Sequence, residues 1–185
     1  MEFRLVYEGP LPAQGARSEH KWAIRRQLHP QLESLWTQHP ALQQGAKWLN
    51  PRPSQGETSV VVERSGVHFV PLVTSRLNLY AEVSVLLFRH QPRGAVLSEG
   101  GDVDNRLKTL IDGLRLPHVR QEIRDESTGG PLPSPFYCLL EDDSLVTKAS
   151  LESEQMLRPG RPDEVLAILA VTVKKFQVTY DNMGL

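Results

Sequence analysis

A chain of 185 residues, 39% hydrophobic and 23% charged, is long enough to close one core, so its composition points to one domain or one domain with an elaborated loop. The net charge of −1 argues against an indiscriminate coat for nucleic acid, and the single cysteine, Cys138, excludes disulfides and cysteine-built zinc sites. No apolar run reaches the length of a membrane span, and the alternating start Met1-Glu2-Phe3-Arg4-Leu5-Val6-Tyr7 reads as a strand instead of a signal peptide, which predicts a cytoplasmic protein with no membrane partner.

Residues 2–8 form the first expected strand, stopped by Gly9-Pro10-Leu11-Pro12. Ser18 is placed to cap a helix over 19–29 with Trp22 and Leu28 inward and Lys21, Arg25 and Arg26 outward, as a solvated face or a phosphate contact. Pro30 then starts a second helical segment carrying Leu32, Leu35 and Trp36. After a loop over 43–57, residues 58–64 and 67–73 read as a hairpin about Ser65-Gly66. Residues 76–90 are the longest strand signal, apolar on both faces and therefore central, with Glu82 expected at solvent. Residues 91–101 form a glycine-rich bridge. The apolar run Phe136-Tyr137-Cys138-Leu139-Leu140 is a buried strand ending in Asp142-Asp143. Strands over 144–153 and 165–173 follow, then a loosely ordered tail. The order β, α, β, β, β, α, β, β, β predicts an α/β fold, a mixed β-sheet with helices packed on it.

The remaining helix carries the chemistry. In Gly101-Asp102-Val103-Asp104-Asn105-Arg106-Leu107-Lys108-Thr109-Leu110-Ile111-Asp112-Gly113-Leu114-Arg115, Leu107, Leu110, Ile111 and Leu114 fall at i, i+3, i+4 and i+7. Asn105, Lys108 and Asp112 fall on the opposite side. Asp104 is placed to cap the helix, and Asp102 precedes it, so two carboxylates converge at a helix start. With Asp142 and Asp143, acids on two elements can meet around a divalent metal.

The pattern Asp-x-Asp-Asn-x-x-Lys-x-x-x-Asp-x-Leu, followed by a strand ending in Asp-Asp, resembles the RusA family of Holliday junction resolvases over residues 102–146. The resemblance implies a RusA-like α/β domain acting as a Mg²⁺-dependent endonuclease on DNA, with branched DNA such as Holliday junctions as substrate. The resemblance further implies Mn²⁺ as an alternative to Mg²⁺, and a homodimer. By resemblance Asp102, Asp104, Lys108 and Asp143 are catalytic, and Asp102, Asp104, Asp142 and Asp143 hold metal; Asn105 and Asp112, on the same side of the helix as Lys108, are placed to support them. Residues 117–135 are longer than the tight connection usual in that family and read as a loop insertion. No counterpart of the family's later basic position appears beyond Asp143, with Ser153 and Glu154 near its place.

The chemistry suits the residues. Phosphodiester hydrolysis needs an activated water, charge stabilisation at phosphorus and an assisted leaving oxygen, all of which oxygen-ligated Mg²⁺ can serve. The histidines at 20, 29, 39, 68, 90 and 118 form no close ligand pair, and no nucleophile elbow or phosphate-binding glycine loop is present. Each acid also has an ordinary structural reading, as a helix cap, an i,i+4 partner of Lys108 or a turn residue. The alternative function is a catalytically silent module of the same fold that binds nucleic acid or a protein.

Overall fold

The computed structural model describes residues 1–12, 16–90, 102–118, 120–123 and 130–185, with the backbone alone for Asp102, Arg120 and Gln121. The expected bridge over 91–101 and part of the expected insertion, residues 119 and 124–129, lie outside the described residues.

Among the described residues, seven strands are divided between two mixed sheets, where the sequence pattern suggests one. Strands β1 (Glu2–Pro10), β4 (Leu79–Arg89), β6 (Val146–Gln155) and β7 (Glu164–Lys175) form the larger, in the order β1-β7-β4-β6. β7 runs antiparallel to β1 and β4, and β6 runs parallel to β4. Strands β2 (Val62–Arg64), β3 (Val67–Val73) and β5 (Phe136–Leu140) form the smaller, in the order β2-β3-β5. The β2–β3 hairpin turns through Ser65 and Gly66 at φ 52° and 78°, the positive values that a two-residue primed turn requires. β2 is shorter than the expected 58–64. In β4, Leu79, Ala81, Val83, Val85 and Leu87 are buried while Glu82 and Ser84 point away from the core; Glu82 meets Lys174 Nζ at 2.6 Å. Every residue of β5 is buried, and burial pushes the Cys138 thiol up to about 12, so it stays neutral.

Helix α1 (Ser18–Gln38) is continuous through Pro30, not broken there into two; the short α2 (Pro40–Gln43) follows it. α1 packs against α3 (Asp102–Leu114), β5 and β1. Along β1, an edge strand, Gln31 Oε1 accepts from the Val6 N–H at 2.9 Å and its Nε2 donates to the Val6 carbonyl at 2.7 Å. Gln27 does the same for Glu8, at 2.6 and 2.9 Å. Four helical residues rise about 6.0 Å and two strand residues about 6.7 Å, so side chains one turn apart on α1 can serve alternate residues of β1.

Arg25 corrects the outward reading of α1's basic residues. It is 2% exposed in the seam between α1 and α3, where it donates to the carbonyls of Asp112 (2.9 Å) and Arg115 (3.1 Å). Its guanidinium also lies 5.0 Å from the Trp22 ring. Lys21 reaches Asp112, and Arg26 donates to the Gly130 carbonyl. The helices approach so closely that a Cβ at Gly113 would sit 2.7 Å from Ile24.

The tail is also held more firmly than its composition suggested. Asn182 is fully buried and donates to the carbonyls of Leu77 (2.7 Å) and Gln177 (2.9 Å), and Leu185 packs on the core. Among the described residues no helix is long and apolar enough to cross a membrane.

Removing Arg25 strands the two carbonyls it serves. Arg25→Leu is expected to cost roughly 2–4 kcal/mol in urea unfolding at pH 7, and Arg25→Lys to recover only part of it because one ammonium cannot reproduce the guanidinium fork.

Candidate active site

Helix α3 begins at Asp102, so Asp104 lies inside its first turn and is not the cap that the sequence suggested. Acids in a first turn are favoured by the helix dipole, which accounts for Asp104 locally. The side chain of Asp102 lies outside the described residues. Leu110 and Leu114 are fully buried, whereas Leu107 and Ile111 are partly buried and pack at the core's margin.

That margin is one wall of a groove of about 440 Å³. α3 contributes Asp104, Leu107, Lys108, Ile111 and Asp112, and the segment after β5 contributes Asp143, Ser144, Val146 and Ala149. Four of the residues singled out in sequence, Asp104, Lys108, Asp112 and Asp143, therefore share one groove. Asn105 is exposed and does not line it; its carbonyl accepts from Thr109 Oγ1 at 2.8 Å. The floor between the charged groups is apolar.

The charged groups differ in how fully they are engaged. Asp112 meets Lys21 Nζ at 2.7 Å and Arg115 Nε at 3.4 Å, with its side chain 14% exposed. Burial alone would raise its pKa, but the hydrogen bond and charge of Lys21 and then Arg115 outweigh this and hold the carboxyl below the usual range. Lys108 makes no ion pair among the described residues, so the i,i+4 pairing with Asp104 or Asp112 is not formed. Asp104 and Asp143 are exposed.

Asp142 caps a 3₁₀ turn over Asp143–Leu145: its Oδ1 accepts from the Ser144 N–H at 3.0 Å. Hydrogen bonds from Ser144, side chain first and backbone second, hold its carboxyl below the usual range. The turn is not a hairpin, because β5 and β6 belong to different sheets.

One neighbour escaped the sequence reading. His118 Nε2 lies 3.1 Å from Asp142 Oδ2, and donor atoms of His118, Asp142 and Asp143 all fall within 4.8 Å of one another. The cause is a short parallel run after α3, in which Arg115 bridges Leu140 and the Leu116 N–H donates to the Leu140 carbonyl at 3.0 Å. Continuing both chains by two or three residues brings His118 beside Asp142 and Asp143. No spacing in the sequence announces a pairing made across two elements.

The lowered Asp112 pKa gives stability a definite pH dependence. A depressed carboxylate contributes fully above its unfolded value of about 3.9, and the contribution is lost as pH falls through the lower folded value. Asp112→Asn should cost about 1–2 kcal/mol at pH 7 and close the gap to wild type below pH 4, read from thermal unfolding across pH 2–8.

Comparison of the chain with protein-family models, curated proteins and solved structures gave no match.

Proposed function

We propose that this chain is a metal-dependent endonuclease that hydrolyses phosphodiester bonds in DNA, with branched DNA such as a four-way junction as substrate. The observation that carries the reading is that Asp104, Lys108 and Asp143, from α3 and from the turn after β5, line one groove. Asp102 is assigned to the acidic set from its place at the start of α3 alone, and Asp142 as the chain neighbour of Asp143.

The donor set fits Mg²⁺, which takes oxygen ligands and keeps several waters, so that a few carboxylates suffice. Bound Mg²⁺ would supply Lewis acidity and a more acidic water. The protein's own part is electrostatic and positional. Asp104 and Asp143 present carboxyl oxygens from two elements, and Lys108, unpaired by either nearby acid, is available to a phosphate. Asp112 holds α1 and α3 together through Lys21, so it supports the groove wall more than it serves as a ligand. The apolar floor of Leu107, Ile111 and Val146 is the feature that a binding module without cleavage would also use.

The test is incubation with four-way-junction, duplex and single-stranded DNA and with RNA, in Mg²⁺ and in EDTA. Cleavage of DNA in Mg²⁺ alone is expected, strongest on the junction; binding without cleavage under every condition would establish the silent module instead. Asp104→Asn and Asp143→Asn should abolish cleavage with folding retained. Lys108→Ala should lower the rate roughly 100- to 1,000-fold while binding in Ca²⁺ weakens only modestly.

Symmetric cutting of a junction needs two sites related by a two-fold axis, so the proposal includes a homodimer. Sedimentation at micromolar concentration should give twice the chain mass. A monomer that still cleaves would keep the nuclease and remove the junction.

A further inference from the structure

The geometry points to His118, Asp142 and Asp143 as a mixed nitrogen and oxygen site for a borderline divalent cation of the Zn²⁺ class. The three donors come within 4.8 Å of one another, and His118 Nε2 and Asp142 Oδ2 are 3.1 Å apart. Ligands held about 2.0–2.2 Å from one ion at tetrahedral or octahedral angles are themselves roughly 3.0–3.5 Å apart, so this pair already has the spacing of two ligands on a common metal.

The site is partly built in advance. Asp142 Oδ1 is held by the Ser144 N–H, which turns Oδ2 toward the imidazole. The parallel run of residues 115–116 along the end of β5 sets the course of the backbone that carries His118 toward Asp142. A simple His–Asp pair would engage Asp142 and leave the adjacent Asp143 carboxylate, which makes no ion pair among the described residues, crowded against it. A cation relieves both. Mg²⁺ has little use for a nitrogen donor, whereas imidazole with carboxylate favours ions further along the first-row series.

The site shares Asp143 with the groove. Its part in cleavage rests on the proposed function, but the cation's binding is read without nucleic acid.

The experiment uses the untagged, metal-free full chain. Zn²⁺ is titrated against a chromogenic chelator, and Mn²⁺ serves as a paramagnetic probe for pulsed EPR. Wild type is expected to bind one Zn²⁺ that His118→Gln and Asp143→Asn each weaken roughly 10- to 100-fold. His118→Cys, which keeps a zinc donor, should retain most of the affinity, and Mg²⁺ binding should change less than about threefold in His118→Gln. Mn²⁺ bound to wild type should show nitrogen coupling that His118→Gln removes. His118 is exposed, and circular dichroism of each variant should match wild type. Equal Zn²⁺ affinity in wild type and His118→Gln, or Mn²⁺ without nitrogen coupling, would overturn the site. If Zn²⁺ binds through His118 and no nucleic acid is cut, the nuclease reading falls and this site stands. If Mg²⁺ supports cutting and His118→Gln leaves Zn²⁺ affinity unchanged, the reverse holds.

Discussion

The guanidinium of Arg25 sits in the seam between α1 and α3 and takes up carbonyls at the C-terminal end of α3. A helix ends with carbonyls that have no partner inside it and with the negative pole of its dipole, so a buried cation there answers both needs together. The arrangement is demanding. A guanidinium taken from water must find its hydrogen bonds in one geometry, which leaves α3 little freedom to rotate or slide against α1. Lys108 and Asp104 stand one and two turns from Asp112, so the rotation that Arg25 fixes is also the rotation that turns them toward the groove. Gly113 and Ile24 reinforce this by allowing the two backbones to approach closely.

The groove's other wall comes from a different part of the fold. β5 lies in the smaller sheet and β6 in the larger, and the turn at Asp142–Leu145 is where the chain passes between them. A crossing point of this kind has its polar backbone groups met by a side-chain cap, not by a neighbouring strand, so acidic residues are accommodated there without disturbing either sheet. The same crossing brings the segment after α3 alongside the end of β5.

Local physical rules made much of this legible in the sequence. The period of Leu107, Leu110, Ile111 and Leu114 announced α3, the apolar run 136–140 announced a buried strand, and Ser65-Gly66 announced a hairpin. The order of strands and long helices was readable for the same reason. What failed depended on partners far along the chain. Arg25 resembles any surface arginine until α3 is packed on it, and Asn182 resembles any tail residue until Leu77 is beside it. Pro30 has the look of a boundary in the sequence, though α1 runs through it. Division of the strands between two sheets is likewise a matter of pairing, which alternation within one strand does not encode. Asp104, Lys108 and Asp143 were visible as residue types at a spacing, whereas His118 is defined only by a contact.

The glutamine ladder along β1 has a chemical consequence of its own. Gln27 and Gln31 work because each amide offers both a donor and an acceptor, as a neighbouring strand would. Deamidation to glutamate keeps the shape and removes the donor, leaving a carboxylate oxygen facing the carbonyl of Glu8 or Val6. The edge would then be uncovered by repulsion between two acceptors, and its vacant backbone groups would be open to strand addition from another chain. Slow ageing of a single amide could thus turn a sealed margin of the larger sheet into a site of self-association.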